Sequence, residues 1–166
     1  MRVTTIFALL VGSLAPVGAL AETTPVSLAP SSQWQVEFAD SVCVLSRQYV
    51  RDGATRVLFL KPELNSDSFE LSIGTVTRQA SEPSAGRAAL TIAGKPKVGS
   101  LEYTAYNNAA MRLVRIPVDG SKMPLSGLRK TIAIDAEEEG RFVLGIGGIE
   151  RALPSLARCV AELRHG

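Results

Sequence analysis

Apolar and polar residues alternate over most of the chain, with turn residues between the alternating runs. In QWQVEFA, Trp34, Val36 and Phe38 fall on one face, with Gln35 and Glu37 on the other. Period two is the signature of a half-buried strand. In SVCVLSRQYV, Cys43, Leu45, Arg47 and Tyr49 share a face, and Arg51-Asp52-Gly53 then supplies a turn. ATRVLFLK continues the meander until Pro62. SFELSIG, RAALTIAG, AAMRLVRIPV, KTIAID and RFVLGIG follow, separated by SEPSAG, GKPKVG, Asp119-Gly120 and AEEEG. The pattern predicts eight or nine strands.

The period changes once. Leu156, Cys159, Val160 and Leu163 stand at i, i+3, i+4 and i+7, one stripe of a helix that begins near Gly148. Pro154 fits that helix only in its first turn or at a kink. The expected class is mainly β, an antiparallel β-sandwich or curved sheet with one C-terminal α-helix packed on it.

The strand–glycine–helix order at 142–163 invites comparison with a dinucleotide fingerprint. Gly145 and Gly147 match its first two glycines, but Glu150 stands at the third. A carboxylate there would face a pyrophosphate, and too little chain follows for another strand and its ribose-binding acid. The glycines are read instead as the joint that lets the helix turn back onto the sheet.

The first 21 residues have a different character. Arg2 precedes an apolar run that Pro16 and Gly18 break, and Ala19-Leu20-Ala21 supplies a small–x–small cleavage pattern. Residues 1–21 are expected to be a secretory signal peptide, giving a periplasmic or secreted protein. The run is too short to span a bilayer, and no later stretch is long enough. Residues 22–32 read as a flexible linker, and 33–166 as a single β-rich domain. Without Arg2, 17 basic and 16 acidic residues remain, scattered along the chain, a formal +1. That balance gives no electrostatic case for nucleic acid.

Export places two cysteines, Cys43 and Cys159, in an oxidising compartment. They are expected to pair as a disulfide, the alternative being two buried thiols. A bridge across most of the domain would be worth roughly 4–5 kcal/mol in chain-entropy models.

Catalytic chemistry is thinly represented. The single histidine, His165, stands next to the C-terminal residue, a poor place for a general base or metal ligand. No G-x-S-x-G elbow occurs. Ser126 with Lys130, or Ser121 with Lys122, could form a Ser–Lys pair, with a polar loop as the plainer reading. Glu137, Glu138 and Glu139 read as a solvated hairpin tip before a calcium site. No metal and no cofactor are assigned. Arg47 shares the Cys43–Leu45 face, and a buried guanidinium needs an anion. Glu37 and Asp40 are its candidate partners in a buried ion pair. Tyr103, Tyr106, Asn107 and Asn108 cluster in what reads as a loop and form a candidate recognition surface.

W-x-V-x-F at Trp34–Phe38, C-x-L-x-R-x-Y at Cys43–Tyr49 and A-L-x-x-L-x-x-C-x-x-x-L at Ala152–Leu163 resemble a group of small secreted proteins of Gram-negative bacteria. Some of these modules stand beside TonB-type energy transducers. Tyr49 occupies a position where the group usually has Phe. The resemblance implies an envelope location and a paired Cys43–Cys159, and it brings no catalytic residue. Two function classes follow. The first is a non-catalytic binding or interaction module of the periplasm that touches another envelope protein. The second is a small periplasmic hydrolase using a Ser–Lys or carboxylate site. A carrier of apolar ligands between sheet and helix is a third, and it requires an internal cavity.

Overall fold

The computed structural model describes residues 28–39, 41–79 and 81–165. The expected signal peptide, 1–21, lies outside the described residues, as does Asp40. Nine strands form one antiparallel sheet: β1 (Gln35–Ala39), β2 (Val42–Arg51), β3 (Ala54–Pro62), β4 (Phe69–Val76), β5 (Ser84–Ile92), β6 (Val98–Asn108), β7 (Met111–Val118), β8 (Thr131–Ala136) and β9 (Gly140–Gly145). A 3₁₀ turn, Leu125–Gly127, precedes β8, and one helix, α1 (Ile149–His165), follows β9. The strand order is β1-β2-β3-β4-β7-β6-β5-β8-β9. With all nine strands in one sheet, the curved sheet is realised and the two-sheet sandwich is not. The sheet curls into a half-barrel.

The inner face carries the alternation read from the sequence. Cross-strand pairs Leu45↔Leu60, Leu60↔Leu71, Leu71↔Ile116, Leu90↔Ile134 and Ile132↔Leu144 run round the concave side. These residues are essentially fully buried and belong to one continuous apolar cluster. Burial of such side chains is worth about 1.5–3 kcal/mol each. Leu156 and Val160 of α1 join the cluster, with Cys159 and Leu163 packed at its margin. The helical stripe thus faces the sheet, mainly β1 and β2.

Three features close this architecture. Cys43 on β2 and Cys159 on α1 form a disulfide across 116 positions of sequence. Gly148 has φ +82°, a left-handed conformation that suits glycine, and it turns the chain from β9 into the helix. The third feature concerns residues 28–32, the described part of the segment expected to be linker. Within that segment, residues 28–32 pack on the domain. The Leu28 amide donates to Val143 O (2.7 Å), and Gly145 N donates to Leu28 O (3.0 Å). Ser31 N then donates to Gln48 O (2.9 Å). The segment bridges the seam between β9 and the half of β2 that β1 leaves unpaired. Leu28 has only 8% exposure, so apolar burial and sheet hydrogen bonds hold what composition marks as linker.

Pro154 falls beyond the first turn of α1 and leaves the Glu150 carbonyl without its usual intrahelical donor. At the far end, Arg164 Nε donates to Leu64 O (2.5 Å), tying the last turn to the β3–β4 loop. His165 is the last residue of α1. Among the described residues, no helix is long and apolar enough to cross a membrane.

Candidate functional site

The seam at the start of α1 opens as a cleft of about 570 Å³ lined by Gln33, Trp34, Val36, Arg47, Gly147, Gly148, Arg151, Ala152 and Ser155. Arg47 reaches it from the inner face of β2. Its Nε donates to Ser32 O (3.0 Å) and its Nη1 to Gly147 O (2.6 Å). The guanidinium carbon lies 5.2 Å from the Trp34 ring centroid, within cation–π range. Trp34 Nε1 also donates to Gly147 O, at 3.4 Å. One carbonyl therefore gathers the indole and the guanidinium at the joint between β9 and α1. Next along β2, the Tyr49 hydroxyl donates to Gly145 O (3.0 Å). Burial pushes the Tyr49 phenol well above its ordinary range, against the opposing pull of the Arg47 charge.

This geometry separates Arg47 from Glu37, one of its two expected partners; Asp40, the other, lies outside the described residues. Glu37 pairs with Val44 in the β1–β2 register, which puts its side chain on the face opposite Arg47. Its carboxylate accepts instead from Ser46 Oγ, at 3.5 Å. Among the described residues, the partners of Arg47 are two backbone carbonyls and an aromatic face. A guanidinium can satisfy such acceptors because its donors project in several fixed directions.

The candidate recognition cluster is also rearranged. Its residues lie on strand β6, not in a loop, and they alternate between faces. Tyr103 is 1% exposed, in the core, with its hydroxyl accepting from Glu138 N (3.4 Å). Tyr106 sits on the outer face, where its ring centroid lies 5.8 Å from the Arg115 guanidinium carbon. Asn107 donates from its side-chain amide to Ser81 O (2.7 Å), and Asn108 is exposed at the strand end. The four residues form no single surface.

Acidic and nucleophilic groups are dispersed and committed. Ser121 Oγ donates to Asp119 Oδ1 (2.6 Å), and Lys122 Nζ lies 3.7 Å from the same carboxylate. The hydrogen bonds from Ser121 hold the Asp119 carboxyl below its ordinary range. Glu137 accepts from the Arg87 amide (3.2 Å), whereas Glu139 accepts from Arg112 Nη2 (2.6 Å) and Ser84 Oγ (2.7 Å). The Arg112 bond holds Glu139 below the usual carboxylate range, outweighing its partial burial. On the outer face, burial opposes ionisation of Glu70. Hydrogen bonds from Arg115 and Ser72 and the Lys61 charge prevail, so its carboxyl also titrates low. Among the described residues, no three His, Cys, Asp or Glu side chains are grouped to hold a metal ion.

The sequence reading singled out Arg47 and missed Arg151. The signal for Arg151 was its place one turn into α1, directly after the glycine joint. Compared with known proteins, the chain matches no protein-family model, no curated protein and no solved structure.

Proposed function

We propose that this protein is a non-catalytic binding module of the Gram-negative cell envelope, and that it presents the Trp34–Arg47–Arg151 cleft to another envelope protein. The observation that carries this reading is the lining of that cleft. It combines an aromatic wall, two guanidinium groups, a side-chain amide and a hydroxyl. Among the described residues, this lining holds no histidine, carboxylate or thiol, which suits recognition and not acid–base turnover. Trp and Arg are also the residues that dominate interface energetics. The disulfide and the carbonyl contacts of Arg47 fix the walls before a partner arrives, which lowers the ordering cost of binding. The envelope location rests on the N-terminal signal pattern and agrees with the disulfide.

Site-specific photo-crosslinking tests this proposal. A photoreactive residue replaces Ser155 inside the cleft or, as a control, Glu102 on the outer face of β6. One dominant envelope protein crosslinked from position 155 and not from 102 is the expected result. Equal crosslinking from both positions, or none from 155, overturns it.

A further inference from the structure

The opposite flank of the 28–32 seam holds a second arginine that the binding cleft does not use. Arg56 pairs with Tyr49 across β2 and β3 and shares the inner face with Leu58 and Leu60. Arg112 of β7 stands on the same face at that level through Thr75, but it is paired with Glu139. The Nε of Arg56 is fully buried and has no hydrogen-bond partner among the described residues. A buried donor left unmatched destabilises the fold, so its retention requires a reason. Among the described residues, no carboxylate lies within salt-bridge distance of Arg56, and its guanidinium carbon stands 5.7 Å from the Phe142 ring centroid.

Arg56 opens onto a cleft of about 340 Å³ with Arg51 and Arg141 beside it. Among the described residues lining it, the one acid, Asp52, is already bound by Arg51 (3.3 Å). Leu28, Ala54, Phe142 and Val143 supply apolar walls. Arg56 also borders the neighbouring cleft toward Glu138 and Glu139, but Glu139 is engaged by Arg112. Among the described residues, an excess of guanidinium over carboxylate beside apolar walls defines a complementary ligand, which meets the outer nitrogens of Arg56. It carries a planar anion for the guanidinium fork and a small apolar body for the walls.

We propose that the Arg56–Arg141 cleft binds a small organic carboxylate, with Arg56 as the anchoring cation and Phe142 as the contact for the apolar part.

The test uses the exported, purified protein labelled with ¹⁵N, and benzoate as the probe. Arginine side-chain Nε–H signals are followed by NMR, with the Arg56 signal assigned by its loss in Arg56→Gln. The proposal expects the Arg56 Nε–H to shift saturably with benzoate below about 10 mM. Neutral benzamide should bind at least about tenfold more weakly, because it lacks the charge-assisted contact. Arg141→Gln, an exposed change that leaves the core intact, should weaken benzoate severalfold. Absence of a saturable shift, equal binding of benzamide, or inorganic phosphate binding as tightly as benzoate overturns the proposal.

Discussion

Arg47 Nη1 donates to the carbonyl of Gly147 at 2.6 Å, joining β2 to the turn before α1 across 100 positions of sequence. The same guanidinium holds Ser32 O and lies against Trp34. One side chain therefore ties the β2 strand, the 28–32 seam and the helix joint together, and it forms a wall of the cleft. Fold closure and the proposed recognition surface share this residue.

Arg47→Met should reveal that closure role. It removes two charge-assisted hydrogen bonds and the contact with the indole. The expected loss is about 2 kcal/mol in urea unfolding. Arg47→Lys should recover little, because an ammonium cannot reach both carbonyls while covering the ring. Full recovery by Lys would show that charge alone matters.

Tyr103 and Tyr106 lie three residues apart and should behave very differently. Tyr103→Ala empties a core position and should cost about 3–5 kcal/mol. Tyr106→Ala acts on the outer face, over Arg115, and should cost under about 1 kcal/mol. Thermal melts of the two variants separate a buried strand residue from a surface one.

The contrast also shows what was readable in the chain. Period-two alternation located eight strands, because all but β1 bury one face in the core; β1 packs Val36 at the margin and leaves Phe38 exposed. Strand β6 was hidden because Tyr106, Asn107 and Asn108 gave its end the composition of a loop. The alternation of Tyr103 and Ala105 was nonetheless present, and both are buried. The stripe through Leu156, Cys159, Val160 and Leu163 gave the face of α1 directly. Arg47 was legible as inward-facing, but its partners were not. Backbone carbonyls carry no sequence signature, and Gly147 is brought near only by curling of the whole sheet. Residues 28–32 misled for the same reason, since polar and proline-rich composition does not report a seam that needs filling.

Acid should destabilise the fold through Glu139 and Glu70. Both carboxyls titrate below their ordinary 4.5 when folded. The stability they contribute is present above that unfolded value and is lost as pH falls through the lower folded values. Glu139→Gln should therefore lower stability at pH 7 and flatten its decline below about pH 4.5. Stability measured by urea at pH 7, 5 and 3 checks this. An unchanged acid slope would remove Glu139 from the account.

Gly120 approaches the chain so closely that a Cβ there would collide with Asp67 O. Gly120→Ala must push the β3–β4 loop away from the start of the 119–128 segment. It should cost about 1–3 kcal/mol by overpacking. A melting temperature equal to that of the parent would show that the loop yields freely.

Reduction should loosen α1 first. Cys43→Ser with Cys159→Ser removes the bridge over 116 positions, worth at most about 4–5 kcal/mol in the chain-entropy model. The buried Leu156 and Val160 keep the helix docked at moderate temperature. The double variant should melt lower and show faster amide exchange in α1 than in β3 or β4.

The central claim is that the Trp34–Arg47–Arg151 cleft is a recognition surface. Its most direct test places the photo-crosslinking residue at position 155 and compares wild-type Arg151 with Arg151→Glu. Arg151 is exposed, so charge reversal should leave the melting temperature within a few degrees. The account predicts that crosslinking of the dominant envelope partner falls at least about tenfold. Crosslinking at full yield in the folded Arg151→Glu protein would contradict it.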